Sequence, residues 1–570
     1  MRHQRRGMAV TAFLAAATLA GCGLVGGAPG SGAGPTAQPG PTAEAGATAP
    51  SGDPTDPAAT PSTTDQSPTA PASPTTSPAP SPSPSPTPPP GAVTRAPQAE
   101  LTFVPGADAV ELALAAARVY WTSAPLVVVG RTGDAAALDA AAQAGVPLLL
   151  TGEPVAADDV TDGEDTPGDG DPAAPAPIED AVLDALHGEL ARLGTRAVLS
   201  FDPAFEAPDG VDVLGDGDPV PEGGPTEPLP GAALVTDTSA RSRAAAQTAR
   251  SAGVEVFTAR RGDPRAARDL ITAYVEGAQL TSVTALGDAF GDAALLSARM
   301  RAVRTGVTLP GGSQLVFDNT RYVALYGSPL TPALGVLGEQ NVKKSVTRAR
   351  KVAKPYTKLV DEQVVPMFEI IATVASAGKG ADGNYSNELD PESIRPYVEA
   401  ARKAGVYVLL DLQPGRTDFL TQAKLYEEFL LEPHVGLALD PEWRLKKNQV
   451  HLRQIGSVGI KEVNRVVHYL ADLVEANDLP QKMLVLHQFT TSMIRNRDKL
   501  DTSRSELAVV VHVDGQGALG SKYGTWANIR KDAPKGLHWG WKNFYDEDQP
   551  MATPKQTVAV DPTPDLVTYQ

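Results

Sequence analysis

The sequence predicts an α/β protein whose last part is a (β/α)8 barrel of the TIM type and whose middle part is a stack of parallel α/β layers. Three observations carry this. At 570 residues the chain exceeds what one hydrophobic core serves, so at least two globular parts are expected. Short apolar runs of four to six residues alternate with helical patterns, the signature of parallel strands joined by helices. Near the C-terminus such runs recur eight times in about 250 residues, the size of one closed barrel. The formal net charge of −18 argues against a nucleic-acid binder, which needs a basic face for phosphates.

Residues 1–22 begin with Arg2, Arg5 and Arg6 and continue into MAVTAFLAAATLA, an apolar run too short to span a bilayer. The sole cysteine, Cys22, excludes an internal disulfide framework and a Cys-based zinc site. It closes the stretch Leu19-Ala20-Gly21-Cys22, which resembles a bacterial lipobox. That resemblance implies cleavage before Cys22, acylation of its thiol, and a lipid anchor at the outer face of the cytoplasmic membrane or in the cell wall. Residues 23–98 are nearly all Pro, Ser, Thr, Ala and Gly, as in PSPSPSPTPPPG. Such a composition cannot offset its ordering entropy, so a disordered, polyproline-like spacer is expected, reaching on the order of 200 Å.

Residues 99–308 contain no lysine; the first is Lys343. Within this block APLVVVG leads through DAAALDAAAQAG to VPLLLTGE, and IEDAVLDALHGELARLG to TRAVLSFDP. GAALVTD, VEVFTAR and LTSVTALGD follow, giving a parallel α/β domain. Residues 156–178 read as an acidic, Pro/Gly-rich surface loop whose spacing does not match a calcium loop. The rhythm of VPLLLTGE and LARLGTRAVLSF resembles the cell-wall-binding repeat of Gram-positive surface proteins, although the glycine pair closing that family's strand is missing. The resemblance implies binding or scaffolding. After the block, NVKKSVTRARKVAK reads as a solvated amphipathic helix, with binding of a polyanion as the alternative.

Residues 309–570 supply the eight runs RYVALYGSP, VPMFEIIATVA, VYVLLDLQPG, VGLALDPEW, MLVLHQF, LAVVVHVDGQG, GLHWGWKNFY and DLVTYQ. In a TIM-type barrel the chemistry sits at the carboxyl ends of the strands. Those ends are polar almost throughout: Tyr326 and Ser328; Glu369; Asp411 and Gln413; Asp440 and Glu442; His487 and Gln488; His512 and Asp514; Trp539, Trp541 and Lys542; Tyr569 and Gln570. One carboxylate after a strand is commonly a helix cap, but many ionisable groups converging cost desolvation and repulsion. Asp440 and Glu442, two apart, share one side of an extended backbone. Like charges in one cleft push one pKa up, which suits glycosidic bond cleavage. Glu442 is the expected general acid, with Asp440, Asp514 or Glu369 as its partner. Tyr326, Asp411, Gln413, Trp443, His487, Gln488, His512, Trp539, Trp541 and Tyr569 are expected to hold substrate, the aromatics by stacking on sugar rings.

The region resembles the barrel glycoside hydrolases of bacterial surfaces in its strand rhythm. LALDPEW keeps only an Asp-x-Glu of the longer fourth-strand signature of chitinase-like enzymes, so their substrate-assisted chemistry is not implied. A surface-anchored, monomeric protein acting on cell-wall or environmental polysaccharide without a cofactor is therefore expected. Two other readings compete. In one, Glu369, Asp411, Asp440 and His487 surround Mg²⁺ or Ca²⁺ in a metal-dependent hydrolase; in the other, the barrel binds polysaccharide without cleaving it.

Overall fold

The parallel α/β pattern takes physical form in two four-stranded sheets followed by a closed barrel. The computed structural model describes residues 91–153, 177–215, 218 and 228–570. Cys22, the leader, most of the spacer and nearly all of the acidic loop lie outside the described residues. Among these residues no helix is long and apolar enough to cross a membrane. The pairing of the middle block starts ahead of residue 99: Val93–Thr94 pairs antiparallel with Trp121–Ser123.

In the middle block, Leu101–Val104, Ser282–Leu286, Ala232–Thr236 and Glu255–Thr258 form one parallel sheet in that spatial order. Leu148–Leu150, Leu126–Gly130, Ala197–Ser200 and Asp212–Leu214 form the other. Their strands are short and apolar because helices cover them, and the alanine-rich runs are those helices, such as Ala135–Ala144 and Arg243–Ser251. Alanine at these spacings gives high helix propensity and lets helix and sheet approach closely.

All eight expected barrel strands form. They are β1 (Thr320–Gly327), β2 (Gln363–Ala375), β3 (Tyr407–Leu412), β4 (Val435–Leu439), β5 (Lys482–His487), β6 (Leu507–Val513), β7 (His538–Asn543) and β8 (Leu566–Tyr569). Each pairs in parallel with its sequence neighbours, and β8 and β2 both pair with β1, which closes the ring. Alternation along each strand sorts the side chains. Tyr322, Met367, Tyr407, Ala438, Met483 and Val510 point inward and fill the lumen. Phe368, Leu410, Leu437, Leu486 and Val509 point outward against helices such as Pro391–Ala404 and Ile460–Ala476. Gly436 leaves room for the Tyr407 ring, whose hydroxyl accepts from the Met483 N–H (3.1 Å). The lumen is thus a packed core, open to ligand only above its last polar layer.

Candidate active site

In seven of the eight strands, every one but β4, an inward residue just above the apolar lumen is polar. Tyr326, Glu369, Asp411, His487, His512, Lys542 and Thr568 share this layer, all buried. Register places them together: Tyr326 pairs with Glu369, His487 with His512, and Lys542 with Thr568. Gly540 stands beside His512, and a Cβ there would run into the imidazole.

His487 is the hub. Its Nε2 lies 2.8 Å from Glu369 Oε1 and 3.8 Å from Asp411 Oδ1, and its Nδ1 lies 3.0 Å from Asp514 Oδ2. With a carboxylate at both nitrogens the ring is an imidazolium donating twice. Burial by itself would lower its pKa, but Glu369, Asp514 and Asp411 outweigh it and hold the pKa well above the usual histidine value. Beside it His512 is forced the other way, by burial and then by the His487 charge, and is a neutral ring 3.1 Å from Thr568 Oγ1. Asp411 accepts from the Tyr326 hydroxyl (2.9 Å), and burial carries its pKa to about 6 against the pull of His487.

Above this layer a cavity of about 300 Å³ opens, bounded by Tyr326, Gln413, Asp440, Glu442, Asp514 and Lys542. Asp440 ends β4 and caps the 3-10 turn Pro441–Trp443, its Oδ1 accepting from the Glu442 N–H (3.2 Å). That capped turn, rather than two-residue alternation along an extended strand, brings both acids to the cavity. Proline at the first turn position suits the bend because it has no N–H to lose. Burial, and next the Asp514 charge, raise Glu442 to about 7. Burial, and next Asp411, raise Asp440 well above the carboxylate range. Asp514 goes down: burial opposes ionisation, but the hydrogen bond and charge of His487 prevail. Lys542 lies 3.5 Å from the Tyr326 ring centroid, a cation over an aromatic face. The loop carrying Asp514 and the end of β7 carrying Lys542 are tied underneath by the buried pair Lys522–Asp548 (2.8 Å). Lys522 Nζ also donates to the Gly515 and Lys542 carbonyls (both 2.7 Å).

Glu442, Asp440, Asp514, Tyr326, Gln413 and Trp443 therefore line one cavity. Glu369, Asp411, His487 and His512 form the buried polar layer beneath it. Four expected substrate residues are elsewhere. Trp539 and Trp541 sit on the outer face of β7 against Trp526, because Lys542 faces inward and its strand neighbours must face out. Tyr569 faces out from β8 for the same reason, its hydroxyl 2.6 Å from that of Tyr356. Gln488, one residue past inward-facing His487, is held by Arg497 and the Thr490 carbonyl. Trp541→Ala is accordingly expected to cost about 3–5 kcal/mol of stability in a urea titration, as a core truncation, with glycan affinity unchanged. Phe489, Phe544, Gln516 and Glu547 line the cavity from loops, and no periodicity marks loop residues in advance.

Among the described residues, ligand atoms of His487, His512 and Asp514 lie within 4.8 Å of one another, close enough to suggest a metal centre. Both His487 nitrogens already face carboxylates, however, so the ring has no lone pair to give while it carries its two protons. The set fits an ion pair better than a cation site.

No family model matches the chain, and no curated protein matches it. Among solved structures, the endoglucanase CEL6B from Humicola insolens aligns at 12% identity over 50% of this chain and 73% of that one, with a TM-score of 0.19. So low a TM-score leaves fold and chemistry to rest on the geometry above.

Proposed function

We propose that the barrel cleaves glycosidic bonds. The observation that carries this is the opposed tuning of two carboxyl groups on one cavity: Glu442 raised to about 7 and Asp514 lowered. A cleft that holds one carboxyl protonated beside an ionised one has the acid and the anion such cleavage requires. Glu442 protonates the departing oxygen; Asp514, kept anionic by His487, faces the sugar carbon as nucleophile or as base for water. Asp440, its pKa raised by burial and by Asp411, faces a sugar hydroxyl as a hydrogen-bond partner, and Trp443 offers a ring face beside it. Lipidation at Cys22 would hold the chain at the cell surface, the spacer would carry it outward, and wall or environmental polysaccharide is the proposed substrate. The middle module would attach to the wall.

The test is release of reducing ends from purified wall glycan and a panel of soluble polysaccharides across pH. Because only protonated Glu442 is active, turnover should fall as pH rises through about 7. A complete lack of reducing ends from every glycan would leave a binding protein. Activity removed by a chelator and restored by Ca²⁺ or Mg²⁺ would replace this reading with a metal-dependent one.

A further inference from the structure

A second cavity, of about 420 Å³, lies at the opposite end of the barrel. Its lower wall is made of residues that precede barrel strands: Phe317 to Asn319 before β1, Gln481 before β5 and Ser505 before β6. The upper wall follows strands of the middle block, with Arg260 and Arg261 after Glu255–Thr258 and Ala289 after Ser282–Leu286. It therefore occupies the carboxyl ends of a parallel α/β sheet, where such sheets characteristically take ligands. Arg265 stitches the two parts together, donating to the Ser505 carbonyl (3.0 Å).

Charge is lopsided here. Asp263 is shared by Arg265 (2.8 Å) and Arg299 (3.4 Å), and Asp318 by Arg260 (3.4 Å) and Arg268 (3.5 Å). The nearby Glu506 is held by Arg504 (3.1 Å). Arg261 is exposed and, among the described residues, makes no ion pair. Four guanidinium groups, those of Arg260, Arg261, Arg265 and Arg299, thus share the cavity wall with two carboxylates, one of which Arg268 also holds, in a chain whose net charge is −18. Arg261 also adopts a left-handed backbone (φ 56°), a conformation costly for a side chain of its kind. Beside the arginines, Phe317 and His538 stack at 4.1 Å and offer a flat wall.

We propose that this seam is a binding site for a compact, multiply charged oxyanion, bearing phosphate or carboxylate groups, that is gripped by Arg260 and Arg261 and clamps the middle module to the barrel. Guanidinium forks match both oxyanions, and the excess positive charge is the part the protein's own carboxylates leave unused. The site is independent of the barrel mouth and of its proposed chemistry.

Isothermal titration of the full chain with pyrophosphate and with citrate, at low salt, tests it. One-site binding of either is expected, weakened at least about tenfold in the double variant Arg260→Ala, Arg261→Gly. Glycine suits the left-handed position, so that variant should fold as the parent does. A preference for pyrophosphate identifies a phosphate ligand, and one for citrate a carboxylate ligand. Glu442→Gln should bind either anion as the parent does. Absence of heat with both anions, or equal affinity in the double variant, would overturn the proposal.

Discussion

Glu442→Gln should lower turnover by about 10²–10⁴-fold, the usual worth of a positioned general acid, while glycan still binds. The same change should stabilise the fold at alkaline pH. The folded pKa of Glu442, about 7, lies above its ordinary value of 4.5. A carboxyl raised in this way favours the fold below the unfolded value and loses that contribution as pH rises through the folded one. Glutamine has no proton to lose. Urea titrations at about pH 5 and about pH 8 should then show the variant gaining on the parent at the higher pH. Equal stability of both proteins at the two pH values would mean that Glu442 is solvated and ordinary, and the acid assignment would fail with it. Function and stability are opposed at this residue, as at many sites that keep an acid protonated in a cleft.

His487→Gln should cost about 3–5 kcal/mol near neutral pH, because the hub cation disappears and carboxylates remain buried around it. Both flanking contacts, 2.8 Å to Glu369 and 3.0 Å to Asp514, lose their charge partner. The sign can be followed across pH. The raised pKa of His487 contributes stability fully below about 6.5, and this is lost as pH rises through the folded value. The depressed pKa of Asp514 contributes above its unfolded value and is lost in acid. The deficit of the variant should therefore be greatest in the mildly acid to neutral range and shrink in strong acid and strong base. Turnover should fall as well, since an uncompensated Asp514 would take up a proton and cease to be the anion. A variant as stable as the parent would show that the three carboxylates are hydrated rather than paired.

The barrel was legible in the sequence because burial on both faces imposes continuous apolar runs, and eight of them at helix-spaced intervals admit few other architectures. That the DPEW turn brings two acids toward one cavity was legible for a related reason: Asp440 and Glu442 interrupt an otherwise apolar strand end, and a capping role uses only the first of them. Tryptophans were misleading. Trp539 and Trp541 stand beside Lys542, and ring chemistry alone does not tell which parity of a strand faces the lumen. Alternation could have excluded one set or the other, but not said which.

Strand number, order along the chain, the polar strand ends and the Lys-free stretch were thus properties of the sequence by itself, since each follows from local periodicity and composition. Tertiary structure decided the rest. That Asp514 is held low depends on buried His487, 27 positions away along the chain, whose other ring nitrogen meets Glu369, 118 positions upstream of His487. Electrostatic coupling falls with distance through space and is indifferent to distance along the chain, so only closure of the barrel brings these charges near enough to set one another's protonation.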